Sequence, residues 1–164
     1  MPPDSPAAPA AVSRTAATLA RLAVAGDLYA ILVESRDTGG RYAMLEAIVP
    51  AGGGPPPHVH TCEDEGFYVL EGEVTFTVDG RREVASAGTL LHLPRNLPHQ
   101  FRNESDRAAR MLIWVTPGGF EQFFHDVGVP CPAGTAAPRP PSAEHFARIV
   151  ERAPAYGVQI LTEV

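Results

Sequence analysis

His58 and His60 stand two residues apart, and Cys62, Glu63, Asp64 and Glu65 follow at once. On an extended segment side chains alternate between faces. His58 and His60 therefore face the same side, about 6.5–7 Å apart along the strand. Two imidazoles on one face can share one metal ion, with metal–nitrogen bonds of about 2.1 Å. Further ligands must come from elsewhere. Glu65 heads the apolar run "GFYVLEG" after a short polar turn, and His99 opens "HQFRN". Together these make three nitrogens and one carboxylate oxygen, a set that suits one divalent transition ion: Fe, Mn, Ni, Co or Zn. Glu63 and Cys62 compete with Glu65, since both are near enough to coordinate if the turn is built differently. Cys62 also shares the parity of His58 and His60. Taken singly, each histidine of this stretch fits a polar surface loop better than a ligand.

A β framework must hold these donors. "DLYAILVES" and "RYAMLEAIVP" are apolar runs separated by "RDTGG", which reads as two strands with a Gly-rich turn. In "EVTFTVDG", Val74, Phe76 and Val78 alternate with Thr75 and Thr77, the period of a half-buried strand. Asp79-Gly80 predicts a hairpin turn into "RREVASAG". "TLLHLP", "HQFRN" and "AARMLIWVTP" continue the series. Many short strands with tight turns imply a sandwich or barrel. Strand parity turns Glu65, Phe67 and Val69 inward together, and likewise His99 and Phe101. With Phe76 and Trp114 they form the expected substrate pocket, apolar and suited to a small, flat or hydrophobic organic ligand. For each aromatic alone, core packing is the simpler reading. His92 reads as a packed or solvent-facing residue, and His125 and His145 read as surface residues.

The ends differ. Residues 1–20 form a Pro/Ala-rich segment expected to be flexible, although "SRTAATLARLAVAG" within and beyond it could make a short helix or lead into a strand. Residues 21–118 hold the strands, and residues 119–164 read as a helical extension packed on them. Phe120, Phe123, Phe124 and Val127 recur at i, i+3, i+4 and i+7, predicting an amphipathic helix ended by Gly128. A second helix follows from a Ser142 cap, with Phe146, Ile149 and Val150 on one face. "YGVQILTEV" is expected to return as a short strand.

The spacing resembles the cupins. Their first motif is met by Gly52, five residues, His58-Val59-His60, four residues, Glu65, six residues and Gly72. Their second is met by Gly88, five residues, Pro94-Arg95-Asn96, two residues, His99, three residues and Asn103. Asn96 stands where glycine is usual, and asparagine tolerates left-handed dihedrals better than other side chains. The stretches "GGGPPPHVH", "EDEGFYVLEGE", "LPRNLPHQFRN" and "VTPGGFEQFF" are similar to single-domain bacterial cupins described as quercetin 2,3-dioxygenase-like. The resemblance implies an all-β jelly-roll barrel of about six to eight strands. It implies a metal held by His58, His60, Glu65 and His99, with Glu65 also taking a proton from a substrate hydroxyl. It further implies a homodimer, with the N-terminal segment as the part that crosses over.

Composition narrows the classes. At 164 residues, 45% hydrophobic and 20% charged, the chain reads as one globular domain. A net charge of −6 argues against a nucleic-acid surface. All thirteen basic residues are arginine, so no phosphate-binding loop with lysine exists. No G-x-S-x-G and no G-x-G-x-x-G occurs. No apolar run approaches the roughly 20 residues of a membrane span. Cys62 and Cys131 give no disulfide framework and suggest a reducing, cytosolic setting. The opening prolines and Asp4 argue against a signal peptide. The expected function is a metal-dependent dioxygenase acting on a small enolisable or phenolic compound with O2. The alternatives are a metal-dependent isomerase or lyase of the same fold, and a non-catalytic module that binds a small molecule or metal.

Overall fold

The computed structural model of the protein describes residues 10–163. Most of the low-complexity start expected to be flexible, residues 1–9, lies outside the described residues. After a short 3-10 turn at Ala16–Thr18, β1 (Arg21–Val24) and β2 (Asp27–Val33) pair as a hairpin. Their turn places Ala25 at φ 53° and Gly26 at φ 92°. Positive φ at both turn residues matches the right-handed twist of the paired strands. Of the two alternatives for this segment, the strand prevails. The "RDTGG" connection is one helical turn, α1 (Ser35–Thr38), closed by Gly39 at φ 63°.

The chain continues through β3 (Ala43–Val49), β4 (His58–His60), β5 (Asp64–Glu71), β6 (Glu73–Val78), β7 (Arg81–Ser86), β8 (Leu90–Leu93), β9 (His99–Arg102) and β10 (Ala109–Thr116). The Asp79-Gly80 turn between β6 and β7 has φ 47° and 75°, the hairpin geometry expected of that dipeptide. Then come α2 (Glu121–Val127), β11 (Val129–Cys131), α3 (Ala143–Arg152) and β12 (Val158–Ile160).

Two antiparallel sheets face each other as a jelly-roll. One has the order β11-β1-β2-β3-β10-β5-β8, the other β12-β4-β9-β6-β7. Between them Phe67, Phe76 and Phe101 cluster with ring centroids 5.0–5.9 Å apart. Leu45, Val69, Met111 and Val115 complete this buried interior. Each fully buried side chain of this size contributes about 1.5–3 kcal/mol relative to exposure.

The C-terminal stretch does more than pack on the barrel, because β11 extends one sheet beside β1 and β12 extends the other beside β4. α2 buries Phe123, Phe124 and Val127. Its first residue, Glu121, is fully buried. The carboxylate accepts from the Ser35 amide at 2.8 Å, from the Gly119 amide at 2.7 Å and from the Ser35 hydroxyl, fastening α2 to α1. α3 starts on Ser142, whose hydroxyl accepts from the His145 amide at 3.1 Å. Its buried face is narrower than its sequence suggests: Ile149 is covered, while Phe146 and Val150 are each 40% exposed. His145 is half-buried, its Nε2 2.8 Å from the Val127 carbonyl, so it links α3 to the end of α2. His92 and His125 are exposed.

Candidate metal centre

β4 and β9 are neighbours, and His58 lies directly opposite His99. His60 follows two residues after His58 on the same inward face. Glu65 reaches across from β5, in the opposite sheet. The pocket is thus closed by two sheets, and neither could supply the four donors alone. All four residues are buried, and one donor atom of each lies within 4.8 Å of all the others. An ion with bonds of about 2.1 Å would set neighbouring donors about 3 Å apart, so the cluster needs little contraction to hold one.

The backbone fixes the ring orientations. His58 Nδ1 is 2.9 Å from the Pro56 carbonyl, and His99 Nδ1 is 2.9 Å from the Leu97 carbonyl. A carbonyl only accepts, so each Nδ1 carries the hydrogen and each neutral ring keeps its lone pair on Nε2. His99 Nε2 faces Glu65 Oε2 at 3.1 Å, and His60 Nε2 faces the same oxygen at 3.4 Å. Acceptors this close repel unless a proton or a cation lies between them. That donor chemistry fits a divalent ion. The turn before His99 is tied to the first motif by the Asn96 amide, which donates to the His60 carbonyl at 2.7 Å. Asn96 has φ 66°, the left-handed conformation expected where glycine is usual.

Charge reinforces the geometry. Burial drives the His58 imidazolium down to about 3, helped by the neighbouring His99 and His60. Burial also opposes charge on His60, but Glu65 and Glu63 outweigh it and raise that group. For Glu65 burial alone would raise the carboxyl. The charge on His60, the hydrogen bond from His99 and the charges of His99 and His58 instead hold it at about 2.

The two rivals for the fourth position part here. Cys62 is exposed and turned away. Glu63 is buried behind His60, its Oε2 3.4 Å from His60 Nδ1. The approach is too oblique for a hydrogen bond but lies within ion-pair range, and neither atom has another partner among the described residues. A carboxylate on the far nitrogen of a ligating histidine holds the ring and raises its basicity.

A cavity of about 70 Å³ adjoins the cluster, walled by His58, His60 and Glu65 on one side. Phe101 lies on its wall. Phe67, Val69 and Phe76 turn inward but are packed in the core beneath the cavity, not on its wall. Trp114 faces the other way. On β10 the inward set is Ala109, Met111, Ile113 and Val115, so Ile113 takes the wall and the indole lies outside against Gly66. A Cβ on Gly66 would come within 2.1 Å of that indole, which explains a glycine in mid-strand. Much of the rest of the wall comes from residues that strand parity within the barrel could not reveal. Phe120, Phe123 and Phe124 of the α2 region close one side, Phe120 edge-on to His60 with centroids 4.6 Å apart. Val158 and Ile160 enter from β12, and Tyr29 from β2. The helical spacing of the phenylalanines was the available signal. Nothing local marked where they dock.

The model of the Cupin domain family matches residues 45–116. The quercetin 2,3-dioxygenase of Bacillus subtilis (strain 168) is 31% identical over 86% of this chain and 41% of its own length. The chain belongs to the cupin superfamily. The quercetin 2,3-dioxygenase of Aspergillus japonicus is 28% identical over 71% of this cupin and 35% of its own length. This cupin thus spans less than half the length of either curated relative. The polyketide cyclase RemF from Streptomyces resistomycificus shares the fold with TM-score 0.59 and 23% identity. The match covers 65% of this chain and 80% of RemF.

Proposed function

We propose that this cupin is a metal-dependent oxidoreductase, a dioxygenase acting on a small enolisable or phenolic compound with O2. The observation that carries the reading is the convergence of His58, His60, His99 and Glu65 in one buried cluster, three of whose members, His58, His60 and Glu65, wall an apolar cavity. In this reading those four residues are the ligands. An ion there would act as a Lewis acid, making the anion of a substrate hydroxyl less costly, and would leave coordination positions for substrate and O2. Glu65 takes the hydroxyl proton. It lies on the cavity wall, and its basicity would rise if its hold on the ion loosened as the substrate arrived. Phe101, Ile113 and Phe120 exclude water from the reacting oxygen.

The cavity volume of about 70 Å³ favours a small phenol or diketone. A flavonol would need a pocket of several hundred Å³ and hence a shift of α2. Residues 21–118 supply the barrel and residues 119–164 the extension that closes the cavity. The same reading takes the protein as a homodimer in the reducing cytosol, with support from the two free cysteines. No helix among the described residues is long and apolar enough to cross a membrane.

Oxygen uptake by protein loaded in turn with Fe, Mn, Co and Ni, against catechols, diketones and flavonols, tests the activity. Consumption of O2 in step with substrate is expected. Conversion without O2 consumption would establish an isomerase or lyase instead. Binding without conversion under every metal would leave a binding module.

A further inference from the structure

The polar side chains on the cavity wall, among the described residues, are His58, His60, Glu65 and Tyr29. Its ring packs on Phe124 with centroids 4.6 Å apart, and the residue is 5% exposed. Its hydroxyl lies 3.3 Å from Asp27 Oδ2. Asp27 is fully buried, and its other oxygen, Oδ1, accepts from the Gly54 amide at 3.1 Å. Gly54 belongs to the loop that leads into His58, and a Cβ there would meet the Phe101 carbonyl at 2.1 Å. Asp27 is therefore held from two directions. No packing demand explains an acid at the head of the apolar strand "DLYAILV".

A phenolic oxygen both donates and accepts, whereas an ionised carboxylate only accepts. With its hydrogen committed to Asp27, the Tyr29 oxygen keeps its lone pairs for a ligand of the cavity that the residue lines. We propose that Tyr29, oriented by Asp27, is a specificity residue. Its oxygen accepts a hydrogen bond from a ligand hydroxyl, so the pocket prefers a hydroxyl to an ether or carbonyl oxygen at that place. Asp27 is a positioning residue that acts through Tyr29. The inference rests on the phenol reading above and adds which substituent the substrate carries beyond its metal-binding oxygens.

The test uses cobalt-loaded protein and three small phenols: catechol, pyrogallol and 3-methoxycatechol. The last two differ only in a hydroxyl against a methyl ether. Binding is followed by the visible absorption of cobalt. About pH 8.5 is suitable, above the value of about 7 to which burial raises Asp27. Wild type should bind pyrogallol about tenfold more tightly than 3-methoxycatechol. Tyr29→Phe should lose the preference, binding pyrogallol and 3-methoxycatechol with equal affinity. Asp27→Asn should abolish it. The asparagine oxygen stays on the Gly54 amide, its NH2 donates to Tyr29, and the tyrosine hydrogen turns into the cavity, where a hydroxyl and a methyl ether both accept it. A merely structural role for Asp27 predicts that the preference survives Asp27→Asn. Absent discrimination in wild type, or a preference that survives Tyr29→Phe, would overturn the proposal while catechol binding left the phenol reading standing. If no phenol binds the cobalt-loaded wild type, that reading fails and this proposal fails with it.

Discussion

Glu65 and Asp27 are both buried carboxyls, one on the cavity wall and the other behind Tyr29, yet their acidities move apart. Burial pushes each up. Around Glu65 the charge on His60, the hydrogen bond from His99 and the charges of His99 and His58 reverse that push, and the group falls to about 2. Around Asp27 only the Tyr29 hydroxyl and the Gly54 amide oppose it, and the group rises to about 7. The difference lies in what the neighbours can carry. Imidazoles can bear charge or yield a lone pair to an ion, while a phenol and an amide offer only dipoles. The surroundings of Glu65 therefore suit a cation, and those of Asp27 a neutral hydrogen bond.

The most severe test removes imidazoles from around Glu65. His58→Ala combined with His60→Ala should lower metal affinity by on the order of 100-fold or more while far-ultraviolet circular dichroism keeps the β signature. Elemental analysis after dialysis reads the effect, and unchanged metal content would dissolve the contrast between the two surroundings.

Acidity provides the next test, on metal-free protein. His58 is depressed from 6.5 to about 3, so its contribution to stability is present above 6.5 and lost as pH falls through that window. Glu65 is depressed from 4.5 to about 2, so its contribution is lost on acidification between those values. Asp27 has the opposite sign. Raised from 3.8 to about 7, it contributes fully below 3.8 and loses that contribution as pH rises to 7. Asp27→Asn removes this loss. Relative to wild type, the variant should gain on the order of 3 kcal/mol between about pH 4 and pH 7 in urea unfolding. A difference independent of pH would show that the two carboxyls do not differ as described.

Smaller effects sharpen the picture. Glu63→Gln should weaken metal binding by about tenfold, read by competition with a chelator, because His60 loses the charge behind its ring. Equal affinity would reduce Glu63 to a bystander. Least of all, Trp114→Phe should leave metal content and phenol binding unchanged and alter stability by only about 1 kcal/mol, measured by thermal unfolding. A large loss of ligand binding there would place the indole on the cavity side after all.

The cluster was legible because its information is local. The step of two from His58 to His60 settles a shared face, and Glu65, Phe67 and Val69 continue that logic on the next strand. The Asp79-Gly80 hairpin and the i, i+3, i+4 pattern of Phe120, Phe123 and Phe124 are equally short in range. Trp114 shows where such reasoning stops. Both Ile113 and Trp114 suit a buried wall, and which one faces inward depends on how β10 pairs with β5, where Trp114 is opposite Gly66. Asp27 escaped attention because its partners, Tyr29 aside, arrive from a loop some twenty-seven residues away.

The amino-acid sequence alone determined which atoms are able to bind a cation and on which faces of their strands they lie, since side-chain chemistry and a two-residue period need no distant partner. Only the tertiary structure decided that Glu65 crosses from one sheet to meet imidazoles on the other, that β12 and the phenylalanines of α2 roof the cavity, and that Asp27 stands behind Tyr29. Those are contacts between segments far apart along the chain, chosen by which apolar faces bury against each other, and no local pattern encodes that choice.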